Sequence, residues 1–232
     1  MLAGLFFLLI SSQAAHAEKI RASVIDIAPF GFIEGGQKKG LNIEILEALA
    51  SAGSFEVDIQ LAPYLRAISL VESKEVDLTL MFDTEISKKM KTKKAFLYRR
   101  NLNVYTLKDR SFLSAKTISG EIGRLNGACT ELENPQINFF NLGSFEQGIS
   151  LLEKKRLKGI CGSHAATSFA FNKMGLQAAK FKYIMIAKKD FSVHFHPDTS
   201  DEKIGKIKKA IQIIQKNGVL QKIRNKYQDI DP

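Results

Sequence analysis

Proton-transfer chemistry needs an acid and a base converging on one point, and this sequence offers few residues for it. Only four of its 232 residues are histidines. Asp83 and His164, each following an apolar run, make the best acid–base pair that spacing allows, and neither sits in a motif that specifies a reaction. Cys129 and Cys161 match no zinc or haem spacing, so no metal site and no cofactor is expected. In an oxidising compartment the two could pair if their Cα atoms come within about 7 Å, while two buried free thiols also fit the sequence.

The other candidates suit non-covalent capture. Phe30 and Phe32 could stack on a guest or simply pack in a core. Asp83 and Thr84 could hydrogen-bond a guest or cap a turn. Arg66 stands in the first turn of a helix, where the macrodipole disfavours a cation; a guest carboxylate would explain it, and so would a surface ion pair. Gly127, Ala128, Cys129 and Thr130 could offer backbone N–H groups to an anion, and Ser163 with His164 could face the same opening.

These residues share a position because of the elements that carry them. Ile20–Ile27 reads as a strand; Gly35-Gly36 through Gly40 as a turn; and Leu41, Ile45, Leu46 and Leu49 as a helical stripe that Gly53 stops. Phe55, Val57, Ile59 and Leu61 alternate with polar residues in a half-buried strand, Pro63 opens a helix, and Val76–Phe82 is a buried strand. Such alternation predicts a parallel sheet covered by helices. Ala95–Leu107 is strand-like, and Lys108-Asp109-Arg110 reads as a crossing point into a second unit. That unit has strands at Glu121–Leu125, Leu157–Gly162 and Phe181–Ala187, a helix capped by Ser144 and another ending at Gly175. Two amphipathic helices carrying Ile204, Ile207, Ile211 and Ile214, then Leu220, Ile223 and Tyr227, close the chain. Open α/β sheets bind guests beyond the carboxyl ends of their strands, which is where the candidates above fall.

Leu2–Ile10 is an apolar run followed by Ala15-His16-Ala17, the pattern of a signal peptide cut after Ala17, although no Lys or Arg precedes the run. The run is too short to cross a bilayer, and periplasmic export is expected. The formal charge of +10 raises nucleic acid or an anionic membrane as partners. Export and the lack of aromatic residues among the lysines argue against nucleic acid. Lys88, Lys89, Lys91, Lys93 and Lys94 read as a solvated face or as a docking surface for an acidic membrane partner.

Several segments, in order, resemble the extracellular solute-binding proteins that capture polar amino acids and similar solutes for ATP-driven importers. Asp26-Ile27-Ala28-Pro29-Phe30-Gly31-Phe32 is similar to the family's first-strand exit, and Gly40-Leu41-Asn42-Ile43-Glu44-Ile45-Leu46 to its first helix. Pro63–Ala67, Glu72–Leu78, Ile122–Gly127 and Asn217–Tyr227 follow the same order. The resemblance implies a two-lobed periplasmic-binding fold, with lobe 1 at 18–107 plus 188–232 and lobe 2 at 108–187. It implies a monomer that closes on a small polar or anionic solute and delivers it to a permease or receptor domain, with Asp26 among the cleft residues. Some relatives on this fold are dehydratases, which keeps a periplasmic enzyme as the alternative. Two departures stand out: the arginine that clamps an amino-acid carboxylate shortly after the Thr84 position is replaced by Glu85-Ile86-Ser87-Lys88-Lys89, and the aspartate that receives the ammonium is replaced by Gly162-Ser163-His164. A buried ammonium without a carboxylate is costly, so a standard amino acid is a doubtful ligand.

Overall fold

The structure is a computed structural model that describes residues 18–109, 114–132 and 134–229. The expected signal peptide (1–17) and Arg110 of the expected crossing point lie outside the described residues. Alternating apolar positions make β1 (Lys19–Ile25), whose Ile20, Ala22 and Val24 are fully buried. A small hairpin follows, β2 (Phe32–Glu34) and β3 (Gln37–Lys39), turning at Gly35 and Gly36, both with positive φ. Then come α1 (Leu41–Gly53), β4 (Glu56–Ala62), α2 (Tyr64–Glu72) with Pro63 at its N-cap, and β5 (Leu78–Phe82). The periodicities account for β1, α1, β4, α2 and β5, and the glycine turn for the tip of the hairpin, whose two three-residue strands are too short to show a repeat. The periodicities did not reveal α3 (Glu85–Lys89), which is too short to show a stripe and is held by a capping box between Thr84 and Ser87.

The long strand β6 (Lys93–Leu107) leads onward to β7 (Gly120–Arg124), β8 (Ile137–Asn141), α4 (Phe145–Glu153), β9 (Gly159–Ser163) and α5 (His164–Lys173). The Ser144 hydroxyl accepts from the Gln147 amide, as the sequence predicts, while the Gln147 side chain accepts from the Gly143 amide. The chain returns along β10 (Phe181–Phe195) and ends in α6 (Asp201–Lys216) and α7 (Val219–Lys226). Here the expectation of a strand stopping at Ala187 needs correction, because β10 runs eight residues further to Phe195. Lys188-Lys189-Asp190 looks like a loop, but its backbone pairs with Arg99–Asn101, while Lys189 and Asp190 are neutralised by Glu131 and Arg99.

One sheet of eight strands results, in the order β4-β1-β5-β10-β6-β9-β7-β8. β1 pairs in parallel with β4 and β5 at one end, and β7 pairs in parallel with β8 and β9 at the other. Between the two trios β6 and β10 run antiparallel, β5 joining the Phe191–Phe195 end of β10 and β9 joining β6 at Leu102–Tyr105. α1, α6 and α7 pack together beside the first trio, and α4 and α5 pack beside β9. The main apolar core is continuous from Ile20 and Leu46 through Tyr98 and Phe191 to Phe145 and Ile160.

Gly40 sits at the entry to α1 with φ of 135°, and a Cβ there would lie 2.4 Å from the Phe30 carbonyl oxygen. That carbonyl and its Pro29 neighbour accept from the first helical amides, Asn42 and Leu41. Gly40→Ala is therefore expected to destabilise the fold by about 1–3 kcal/mol, read from urea unfolding at unchanged slope.

Candidate functional site

A cavity that opens to solvent is walled by both strand trios and by the ribbon between them. Ile25, Phe82 and Thr84 reach it from the carboxyl ends of β1 and β5, and Leu125 and Ser163 from those of β7 and β9. Arg100, Leu102, Lys189 and Phe191 enter from the ribbon. Two sets of parallel strands thus aim their carboxyl ends at one space, where chain turns leave backbone groups free to meet a guest.

Six of the residues singled out from the sequence line this space: Phe30, Thr84, Ala128, Cys129, Cys161 and Ser163. Thr84 and Ser163 already have structural work, since each hydroxyl caps the helix that follows it. Cys129 and Cys161 are bonded to each other, tying the loop after β7 to β9 beside the cavity. The bond closes a loop with a sequence separation of 32, which corresponds to about 3–4 kcal/mol of chain entropy removed from the unfolded state.

The remaining candidates lie elsewhere. Asp26 is exposed just past β1, and Thr130 is exposed beside Cys129. The ring of Phe32 meets Phe169 of α5 at 5.8 Å, a contact between the two ends of the molecule. Arg66 turns outward and forks onto Glu75 at 2.9 and 3.1 Å, so the Glu75 carboxylate supplies the anion that its helix position called for. His164 is held by the Tyr105 hydroxyl at 2.9 Å and the Ser168 hydroxyl at 3.0 Å. Asp83 instead meets His194 at 3.1 Å and Lys94, with the other imidazole nitrogen of His194 on the Thr92 hydroxyl at 2.9 Å. Asp83 and His164 therefore belong to separate networks and form no acid–base pair.

Burial opposes ionisation of Asp83, yet hydrogen bonds from His194, Lys94 and Ser192 hold its carboxyl well below the usual carboxylate range. A depressed folded value adds stability above the unfolded pKa, about 3.9, and that stability is lost as pH falls through the folded value.

Among the wall residues that reasoning from the sequence missed, two carry buried polar atoms without a hydrogen-bond partner. Arg100 is 2% exposed and lies on the same face of β6 as Tyr98 and Leu102, with the rings of Phe191, Phe82, Tyr98 and Phe30 at 4.1–5.4 Å from its guanidinium carbon. Its Nη2 donates to the Tyr98 hydroxyl, and its Nη1 makes an ion pair with Asp229 at 3.0 Å. The available signal was a cation standing in the inward phase of an apolar strand. Asn42, 1% exposed in the first turn of α1, is the other; nothing in the sequence separates it from an ordinary helix-start asparagine. At the rim Glu131 pairs with Lys189 at 2.7 Å, and burial, then the charge of Glu131, pushes the Tyr64 hydroxyl up to about 12.

A cavity between the carboxyl ends of two parallel-strand units, joined by a two-strand ribbon, is the architecture of two-lobed type II periplasmic binding proteins. The arginine-, lysine- and histidine-binding protein ArtJ of Geobacillus stearothermophilus superposes with a TM-score of 0.74 at 17% identity, covering 93% of this chain and 97% of that one. An ancestral amino acid-binding protein described as a precursor of cyclohexadienyl dehydratase gives 0.74 at 15% identity, over 90% and 95% of the two chains. In sequence, the arginine-binding extracellular protein ArtP of Bacillus subtilis is 23% identical over 93% of this chain and 88% of its own length. The profile of the bacterial extracellular solute-binding proteins, family 3, matches residues 20–230, and the chain belongs to that family.

Two measurements check the site's supports. Replacing Cys129 and Cys161 together by serine should cost about 3–4 kcal/mol in urea unfolding, an effect that reductant reproduces in the wild type. Asp83→Asn should destabilise most between pH 5 and 8, with the gap to wild type shrinking as pH drops below about 4; a gap of constant size would show that the charge of Asp83 is not what matters.

Proposed function

We propose that this chain is an exported solute-capturing protein that closes on a small carboxylate-bearing solute and hands it to a membrane partner, an ABC importer or the sensing region of a receptor. The observation that carries this reading is the cavity walled from both ends of the sheet, with the buried guanidinium of Arg100 on its surface. A carboxylate is the group shared by the amino acids named for the relatives, and an arginine is the side chain best matched to it. The family's own description as extracellular, together with the signal-like start of the chain, supports a periplasmic location.

In this reading residues 18–107 with 188–232 form one lobe and 108–187 the other. β6 gains β9 as a partner only at Leu102, which supports a flex point in the ribbon near Arg99–Asn101 and Lys188–Asp190, slightly before the end of β6. Phe32 against Phe169, Leu65 over Gly127 and Lys189 with Glu131 are contacts that a closed lobe pair gains and an open one loses. A guest touching both walls shifts the population toward closure by its differential contact. An enzymatic role on the same fold is the weaker reading, since Asp83 and His164 sit in separate networks.

The test is a thermal-shift screen of amino acids, other carboxylates and sugars, followed by small-angle scattering and recovery of the ligand. At about 100 times Kd the melting temperature should rise by about 5–10 °C, the radius of gyration should fall, and the recovered ligand should be unchanged. A panel without a single binder overturns the proposal, and conversion of the ligand to a new compound favours the enzymatic reading.

A further inference from the structure

The cavity's chemistry narrows the class of guest, an argument that rests on the solute-capturing role proposed above. Most of the wall is hydrocarbon and aromatic, including Ile25, Phe30, Ile68, Leu80, Met81 and Phe145. The polar groups on it divide by whether their own protein already satisfies them. The Thr79 hydroxyl donates to the Ser23 carbonyl at 2.9 Å, the Thr84 and Ser163 hydroxyls cap helices, and Glu131 is neutralised by Lys189. Among the described lining residues, two side chains keep buried polar atoms with no hydrogen-bond partner: Nε and Nη1 of Arg100 and Oδ1 of Asn42. The 3.0 Å approach of Nη1 to Asp229 is an ion pair whose angle is too poor for a hydrogen bond. Leaving such groups unmet costs about 1–3 kcal/mol each, and because both residues border the cavity, a guest seated there is the group best placed to supply the complement.

Charge gives the sign of that complement. Asp229 is shared by two guanidinium groups, meeting Nη1 of Arg100 at 3.0 Å and Nε of Arg224 at 3.3 Å. Among the described residues this sets two guanidinium groups against one carboxylate, an excess of positive charge that an anion would offset. The site offers an ammonium no such welcome. Glu131 is the one carboxylate among the described lining residues and is committed to Lys189, and Asn42 is a neutral amide. A buried ammonium left without a carboxylate carries a desolvation cost that an amide oxygen does not repay.

We infer that the cavity takes an apolar organic acid, with its carboxylate on Arg100, a hydrocarbon or aromatic body against the ring-lined wall, and Asn42 meeting a neutral polar atom. Zwitterionic and cationic amino acids are then poor ligands, despite the amino acids named for the relatives. The basic side chain of arginine or lysine would add a further positive charge beside two guanidinium groups that already share one carboxylate.

Isothermal titration of the mature chain against 3-phenylpropanoate, hexanoate, 3-phenylpropanamide, L-phenylalanine and L-arginine tests this directly. The acids should bind, with 3-phenylpropanoate at least tenfold tighter than its amide, which lacks the charge, and than L-phenylalanine, which adds an ammonium. Arg100→Met should weaken the acid at least 100-fold. Because that change leaves Asp229 facing Arg224 alone and could unfold the chain, the double variant R100M/D229N serves as the second reading, with folding checked by circular dichroism. Equal affinity for acid and amide, or retention of binding in the folded double variant, overturns the inference. Tighter binding of L-arginine or L-phenylalanine than of either acid also overturns it while leaving solute capture standing. If neither these compounds nor the wider panel of amino acids and sugars bind, the role on which the inference rests fails with it.

Discussion

The pairing of β6 with β10 is the constraint on which the rest of the molecule hangs. Each strand is 15 residues long, and their antiparallel ladder runs from Lys93–Phe195 to Leu107–Phe181. Every other strand of the large sheet reaches the others through this ribbon: β5, β1 and β4 by way of one end of β10, and β9, β7 and β8 by way of the other end of β6. Two parallel-strand units that never pair with each other are thereby held with their carboxyl ends facing a common space. A ladder this long resists sliding because a one-residue slip would turn Tyr98, Arg100 and Leu102 away from the interior.

That same face explains how a guanidinium comes to be fully buried. A charge alone in an apolar interior would be strongly disfavoured, and here it is compensated on three sides: by Asp229 from the chain's last described residues, by the Tyr98 hydroxyl and by the faces of four aromatic rings. Asp229 is itself placed by Arg224, whose guanidinium also lies over Tyr98. The C-terminal helix is thus coupled electrostatically to the cavity wall. Its two neighbours, α1 and α6, share its apolar face, so the charge network and the core reinforce one another.

The setting of a cation differs between the surface and the ribbon in a way that is physical as well as positional. A cation following the strand that ends at Phe82 would sit on a short helix at the surface, where α3 carries Lys88 and Lys89 exposed. In the ribbon, Arg100 lies among rings, where water does not compete for its N–H groups and its interactions are stronger. Thr84 and Ser163, both on the cavity wall, also have their hydroxyls engaged by their own backbone, since each starts a helix whose first amides need an acceptor.

Local pattern was enough for much of this. The period-two and helical repeats of residues 20–82 gave the strands and helices of the first half, the caps at Pro63, Ser144 and Gly53–Ser54 marked boundaries, and the ordered glycine turns pointed to the family. Those features are legible because each is set by neighbours within a few residues. β2, β3 and α3 were too short to build a repeat, β8 buries only its first residue and so shows no alternation, and the charged stretch at Lys188–Asp190 concealed the continuation of β10. The sequence by itself determined the element order, the α/β class and the segments that meet at strand ends. Only the tertiary structure decided that Cys129 reaches Cys161, that Arg66 turns to Glu75, that Asp83 finds His194 in place of His164, and that Arg100 lines the cavity. Each of these depends on a partner 9 to 129 positions away in the chain, and a side chain's ionisation and satisfaction are properties of the groups packed around it, which no local repeat records.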